Sequence, residues 1–90
     1  MAKINKEEYK LLKNLDDKWK WIARDEDRGL YAFLKKPTRK YGLSSYWRDT
    51  EPYTGSSRVR DLFDEIHLFQ FIQWEDEEPY NITELVEEYE

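Results

Sequence analysis

Two aromatic-rich runs on either side of a short turn constrain the fold of this chain more than any other feature. In residues 18–24, large apolar side chains alternate with basic ones, which is the two-residue period of a β-strand. Residues 30–34 form a second aromatic-rich run, and the acidic turn between the two runs ends in Gly29. Two such runs joined by a short turn predict an antiparallel β-hairpin.

The aromatic residues also explain how so polar a chain can have a core. Charged residues make up 39% of the 90 positions, yet the chain contains four Trp, seven Tyr and four Phe. A large ring buries about 150–250 Å², and disordered chains are poor in such residues. Ninety residues leave room for one core, so we predict a single domain over residues 1–90.

Helix-start signals lie near both ends of the chain. Asn5, with Glu8 three residues later, matches a capping box and predicts a helix over residues 6–14. Asn81 and Glu84 repeat this spacing and predict a final helix.

The middle of the chain is less regular. Residues 45–48 are predicted to form a short third strand, and residues 58–66 carry the apolar spacing of a helix, with Ser56 or Ser57 as its cap. Apolar and polar side chains alternate in residues 69–75, which predicts a strand, and a helix through these residues is the alternative. The fold class is therefore α+β: a small single domain with an antiparallel sheet of three to four strands and about three helices, in the order α-β-β-(β)-α-β-α. The side chains expected to be largely buried are Trp19, Trp21, Phe33, Leu62, Phe63, Phe71 and Val86.

Several chemistries lack the residues that they need. The chain has no Cys, which excludes disulfides, thiolate zinc sites and a cysteine nucleophile. His67 is its one histidine, and three scattered glycines do not make a phosphate-binding loop. No apolar run approaches the ~18 residues of a membrane span, and the charged N-terminus is unlike a signal peptide. We therefore expect a cytoplasmic protein without enzymatic activity, metal or cofactor.

Charge is divided unevenly along the sequence. Residues 1–60 contain all 15 Lys and Arg together with nine acids, whereas residues 61–90 contain 11 acids and no basic residue. Two interpretations stay open: the halves neutralise each other in the fold, or one of them meets a charged partner. Each half offers one candidate surface.

The acidic candidate is a run of four carboxylates after Trp74. A consecutive run diverges instead of converging on a metal or substrate, so a solvated connector or a binding edge for a basic partner explains it better than catalysis. At least two of these side chains are expected to face water. The candidate partner-binding residues are Glu75, Asp76, Glu77 and Glu78.

The basic candidate interleaves cations with rings. Basic side chains neutralise phosphates and exposed rings stack on bases, which suits single-stranded nucleic acid, while Tyr, Trp and Arg are equally typical of protein interfaces. A third alternative places Trp47 in the core. With a net charge of −5 we expect no tight nucleic-acid binding. The patch comprises Lys35, Lys36, Arg39, Lys40, Tyr46, Trp47 and Arg48.

Two strings also carry a resemblance to a known group of proteins. The string WIARDED at residues 21–27, continuing to LYAF at 30–33, and the string LFQFIQWEDEEP at 68–79 are similar to small uncharacterised proteins of phages and prophages of Gram-positive Firmicutes. Those proteins share an "IARD-turn-LY" hairpin and a late "WEDEEP" segment before a final helix. Residues 38–57 match least, and Arg28–Gly29 stand where the turn often ends Asp-Gly.

The resemblance implies a phage protein acting in a bacterial cytoplasm, but it brings no activity with it. Small acidic phage proteins often block host proteins, so the leading hypothesis is a non-enzymatic protein that binds and inhibits or redirects a bacterial host protein, such as a CRISPR or restriction defence effector. The alternative is a nucleic-acid-binding accessory protein that uses residues 35–48.

Overall fold

A computed structural model describes residues 2–42, 45–49 and 59–90, and in these residues two α-helices frame a set of short antiparallel strands. The elements follow the order α1 (Lys6–Asn14), β1 (Trp21–Arg24), β2 (Leu30–Phe33), β3 (Thr38–Lys40), β4 (Tyr46–Arg48), β5 (Val59–Asp61), a 3₁₀ helix (Phe63–Glu65), β6 (Tyr80–Asn81) and α2 (Ile82–Tyr89).

The predicted hairpin is confirmed and forms the centre of the main sheet. β1 and β2 pair antiparallel, with Trp21 opposite Phe33 and Arg24 opposite Leu30. β5 joins β2 on one side and β6 joins β1 on the other, which gives the order β5-β2-β1-β6. In the turn that joins β1 to β2, Arg28 adopts a left-handed backbone conformation with φ 77° immediately before Gly29.

The two terminal helices begin where the capping signals predicted. Asn5 Oδ1 accepts a hydrogen bond from the Glu8 N–H at 2.8 Å, and Glu8 Oε1 accepts one from the Asn5 N–H at 2.9 Å. Asn81 Oδ1 accepts from the Glu84 N–H at 3.0 Å. The helices contact each other, since the rings of Tyr9 and Tyr89 stack with centroids 4.4 Å apart.

Three expectations about the middle of the chain are wrong in detail. Residues 59–61 form strand β5 instead of part of a helix. They pair with the outer edge of β2, whereas a short helix on its own is only marginally stable. Residues 69–75 contain no strand, since Phe69 has a left-handed φ of 56° that interrupts an extended chain. The third strand exists as β4, but it pairs with β3 in a separate two-stranded ribbon. The α+β class is therefore confirmed, whereas the predicted element order and three helices are not. The proposed caps Ser56 and Ser57, and Arg58, lie outside the described residues.

The core predictions fall into two groups. Trp19, Phe33 and Leu62 are buried, whereas Trp21, Phe71 and Val86 are half-buried at the margin of the core. The side chain of Phe63 lies outside the described part of the structure. A second, smaller apolar cluster contains Ala23, Phe33 and Trp47, with Trp74 packed against it. This smaller cluster attaches the β3–β4 ribbon to the main sheet.

Candidate functional site

A buried arginine of β1 holds the segment that leads to the acidic run. Arg24 is 8% exposed, and the five hydrogen bonds of its guanidinium all go to backbone carbonyl oxygens. Among the described residues no carboxylate forms an ion pair with it. Because the donors of a guanidinium have fixed directions, they specify one conformation of the segment that they bind. The accepting carbonyls are those of Ile72 (2.7 Å), Leu68 (2.8 Å), Arg28 (3.0 Å), Phe69 (3.1 Å) and Ile66 (3.2 Å).

A buried glutamate of α1 contacts the same segment. Glu8 is 6% exposed, and its second carboxylate oxygen, Oε2, accepts a hydrogen bond from the Phe69 N–H. The Phe69 ring is fully buried among the core residues. Glu8 and Arg24 together fix the backbone at residues 66–72, so the acidic run starts from a defined position.

The four predicted acidic residues lie in the connection between this segment and β6, and they are not equivalent. Asp76 Oδ2 accepts from the Gln73 N–H at 2.9 Å, and Glu78 pairs with Lys36 at 2.8 Å. Glu75 and Glu77 are exposed, and no hydrogen bond or ion pair to them is found among residues 2–42, 45–49 and 59–90. Two acids therefore stabilise the connection, and two are left to solvent.

Asp76 also acts on Tyr80 of β6. Burial is the main cause that raises the pKa of Tyr80, and the negative charge of Asp76 adds to it. Pro79, between the acidic residues and β6, is buried. The connection is thus fixed at its beginning by Arg24, in its middle by Asp76 and at its end by Pro79.

The basic patch divides between the two faces of the β3–β4 ribbon. Alternate side chains of a strand lie on opposite faces; Arg39 is opposite Trp47 in the register, and both turn towards the protein. Trp47 is 6% exposed, which confirms the interpretation that places it in the core. The exposed residues of the patch are Lys35, Lys36, Lys40, Tyr46 and Arg48.

Arg39 joins the ribbon to the beginning of the acidic run. Its guanidinium carbon lies 5.0 Å from the ring centre of Trp47 and 4.7 Å from that of Trp74, within cation–π range of both. Its Nη2 donates to the carbonyl oxygen of Trp74, and its Nη1 donates to the Tyr41 hydroxyl at 3.2 Å. With the Lys36–Glu78 pair, this brings the two predicted surfaces side by side. The charged halves of the sequence therefore neutralise each other in part.

A cleft of about 660 Å³ opens between the β1–β2 turn and the segment 66–75. Asp25, at the end of β1, lines it and is 9% exposed. Asp25 Oδ1 accepts from the Trp47 N–H at 2.8 Å, which also ties β4 to the hairpin. Burial raises the pKa of the Asp25 carboxyl to about 6; the hydrogen bond from Trp47 opposes this shift, and the charge of Asp27 adds to it.

No sequence pattern predicts the contacts of Arg24 and Asp25, which are among the most strongly held residues of this region. Arg24 lies on the outward face of the predicted strand, and nothing near it in sequence predicts its four distant carbonyl partners, which are 42 to 48 positions away. Asp is a common residue in turns, so Asp25 does not stand out in the sequence. Glu8 is the one residue of this region that a sequence pattern marks. Its capping-box spacing predicts the contact with Asn5 but not the contact with Phe69.

The described residues show no cluster of three or more His, Asp or Glu side chains placed to hold a metal ion. Within those residues, no helix is both long and apolar enough to cross a membrane. Comparison with protein-family models, with curated proteins and with solved structures finds no match for this chain. The likeness to phage proteins therefore stays a hypothesis from the sequence.

Proposed function

We propose that this chain is a non-enzymatic protein-binding domain that binds a basic surface of its partner through the acidic segment, residues 75–78. The observation that carries the proposal is the exposure of Glu75 and Glu77 on a connection that hydrogen bonds hold at Trp74 and Asp76 and that ends at the buried Pro79. A fixed edge loses little conformational entropy when it binds, so it favours association more than a mobile acidic loop would.

The charge of the segment favours a basic protein partner. Glu75 and Glu77 have no cation opposite them among the described residues, so a partner's Lys or Arg side chains would not have to displace an internal pair. Charges of this kind mainly raise the association rate and make it depend on salt. The resemblance to phage proteins adds the hypothesis that the partner is a bacterial host protein, such as a defence effector.

The test begins with recovery of a partner from bacterial lysate on the tagged chain. The recovered protein is then titrated at two ionic strengths with wild type and with the double variant Glu75→Lys and Glu77→Lys. We expect binding at least about tenfold weaker in the variant, and a loss of salt dependence. The matched control is Glu84→Lys with Glu87→Lys, which makes the same charge change on exposed positions of α2.

Equal affinities for all three proteins, without salt dependence, would show that the acidic segment is only a solvated connector. If both double variants bind the partner equally weakly, the net charge of the protein controls the affinity, and the acidic segment has no special role.

A second candidate function is supported by the outward face of the β3–β4 ribbon. Lys40, Tyr46 and Arg48 are exposed there, and no partner of their side chains is found in the described part of the chain. Basic side chains neutralise phosphates and exposed rings stack on bases, which suits single-stranded nucleic acid. The net charge of −5 and the pairing of Lys36 with Glu78 oppose tight binding.

A gel shift with single-stranded DNA and RNA separates the two functions. We expect no complex at sub-micromolar protein in about 0.15 M salt. If a complex forms, is lost in Lys35→Ala with Lys40→Ala, and persists in Lys6→Ala with Lys10→Ala, the nucleic-acid function replaces the protein-binding one.

A further inference from the structure

In the cleft beside the β1–β2 turn lies the buried carboxylate of Asp25, which forms no ion pair with any described residue. Asp25 uses one oxygen for the Trp47 N–H, and no hydrogen bond or ion pair of its other oxygen, Oδ2, is found among the described residues. A buried charge normally has a partner because desolvation disfavours it strongly. We propose that this cleft takes one Arg or Lys side chain of the partner protein, with Asp25 as its counter-ion.

Neither arginine near Asp25 fills this role. All five hydrogen bonds of Arg24 go to backbone carbonyl oxygens. Arg28 also lines the cleft, but its side chain is exposed and forms no ion pair in the described residues. The lining of the cleft contains three acids, Asp25, Glu26 and Glu75, against these two arginines, so it keeps a net negative charge that a ligand's cation can meet.

The cleft has the size of a binding site and continues into the acidic segment. Its volume of about 660 Å³ falls within the range of about 300–1,000 Å³ that is usual for ligand pockets. Glu75 belongs both to its lining and to the acidic segment. A basic chain lying along residues 75–78 is thus placed to extend one long side chain towards Asp25.

This inference rests on the proposed function and assigns the side chain that would distinguish one basic partner from another. Exposed acids at 75 and 77 attract any positive surface, whereas a cleft with its carboxylate inside selects a cation on a long stem. Asp25 therefore provides specificity for a long basic side chain, whereas the acidic segment provides the general attraction for a basic partner.

The experiment measures binding of two synthetic peptides by calorimetry at low salt. One is hexa-arginine, and the other is a hexamer of 2-amino-3-guanidinopropionic acid, which has the same charge on a stem two methylenes shorter. We expect hexa-arginine to bind wild type at least about tenfold more tightly than the short-stem peptide, because only the longer side chain reaches the carboxylate.

Two variants with the same charge change complete the test. Asp25→Asn keeps an oxygen for the Trp47 N–H and removes the charge in the cleft, and Glu77→Gln removes one exposed charge outside it. We expect Asp25→Asn to lose about tenfold in hexa-arginine affinity and Glu77→Gln less than about threefold. Circular dichroism checks that both variants fold, and the peptide comparison on wild type stands even if Asp25→Asn does not.

The results separate the two ideas. Equal binding of both peptides, with equal small losses in both variants, overturns the cleft proposal and leaves the protein-binding function standing. No binding of either peptide to wild type overturns the proposed basic partner itself. A preference for the long stem that is lost in Asp25→Asn supports the cleft.

Discussion

Glu8 and Arg24 bind the two polar groups of the same backbone residue. Glu8 Oε2 accepts the N–H of Phe69, and Arg24 Nη2 donates to its carbonyl oxygen at 3.1 Å. Phe69 has a left-handed φ of 56°, a conformation that is uncommon for a bulky side chain. Two buried charged groups from distant parts of the chain therefore maintain the backbone turn that starts the approach to the acidic segment.

The first prediction concerns Arg24. Arg24→Met keeps most of the apolar volume but leaves the buried carbonyls of Leu68 and Ile72 without the donor that they have in wild type. Since each unsatisfied buried group costs about 1–3 kcal/mol, we expect the free energy of unfolding to fall by at least about 3 kcal/mol. Urea denaturation measures this loss. Arg48→Met, at an exposed arginine of β4, is the control and should change stability by less than about 0.5 kcal/mol.

The second prediction concerns Glu8, whose two oxygens serve two different elements. Glu8→Gln has one acceptor oxygen and so serves either the Asn5 N–H or the Phe69 N–H, whereas Glu8→Ala serves neither. We expect losses of about 1–2 kcal/mol for Gln and about 2–4 kcal/mol for Ala. Glu7→Gln, one residue earlier and exposed, is the control. Equal stability of Glu8→Gln and wild type would contradict the double role.

Local signals in the sequence account for the elements that were predicted well. The caps at Asn5 and Asn81 act within three residues, and the hairpin depends on alternation within two adjacent runs. Residues 59–66 have helical spacing as good as that of α2, yet 59–61 join the sheet because the edge of β2 is free to pair. The pairing partner lies almost thirty positions away, and no local pattern reports it.

The same reason explains what was missed at the candidate site. Residues 69–75 alternate like a strand, but their backbone follows the contacts from Glu8 and Arg24, which are 61 and 45 positions from Phe69. The sequence pattern predicts no strand at residues 38–40, so residues 35–48 are expected to form one basic patch. Once 38–40 is a strand, the two-residue period turns Arg39 inwards and Lys40 outwards. At least two acids of the acidic segment, Glu75 and Glu77, face water as expected, and the binding role of the segment stays a prediction.

The third prediction separates the acids of that segment by their contacts. The double variant Glu75→Lys and Glu77→Lys changes exposed side chains, so its melting temperature should match wild type within a shift equivalent to about 1 kcal/mol. Asp76→Ala removes the acceptor of the Gln73 N–H, and we expect a loss of about 1–2 kcal/mol. Thermal melts compare the stability of the two variants. A greater loss of stability in the double lysine variant than in Asp76→Ala would contradict the prediction.

The fourth prediction concerns Arg39, which lies between two tryptophan rings. Arg39→Met removes both cation–π contacts and the hydrogen bond to the Trp74 carbonyl. We expect a loss of about 1–3 kcal/mol and a change in tryptophan fluorescence, because Trp47 and Trp74 both lose a charged neighbour. Lys40→Met, one position along on the outward face, is the matched control. An unchanged emission spectrum in Arg39→Met would contradict the contact between the ribbon and Trp74.

The last prediction follows from the raised pKa of Asp25 in the folded state. Burial sets this pKa at about 6, above the ordinary value of 3.8, so the folded chain holds the proton more tightly than the unfolded chain. Stability from this group is therefore fully present below pH 3.8 and is lost as pH rises through 6. Asp25→Asn keeps the acceptor for the Trp47 N–H and does not titrate, so its unfolding free energy minus that of wild type should increase between about pH 4 and pH 7. Urea denaturation of both proteins across this range gives the difference, and carbon NMR of the Asp25 carboxyl gives the midpoint directly. A midpoint near 4, with a difference that does not change with pH, would show that the carboxyl is solvated and that the cleft does not enclose it.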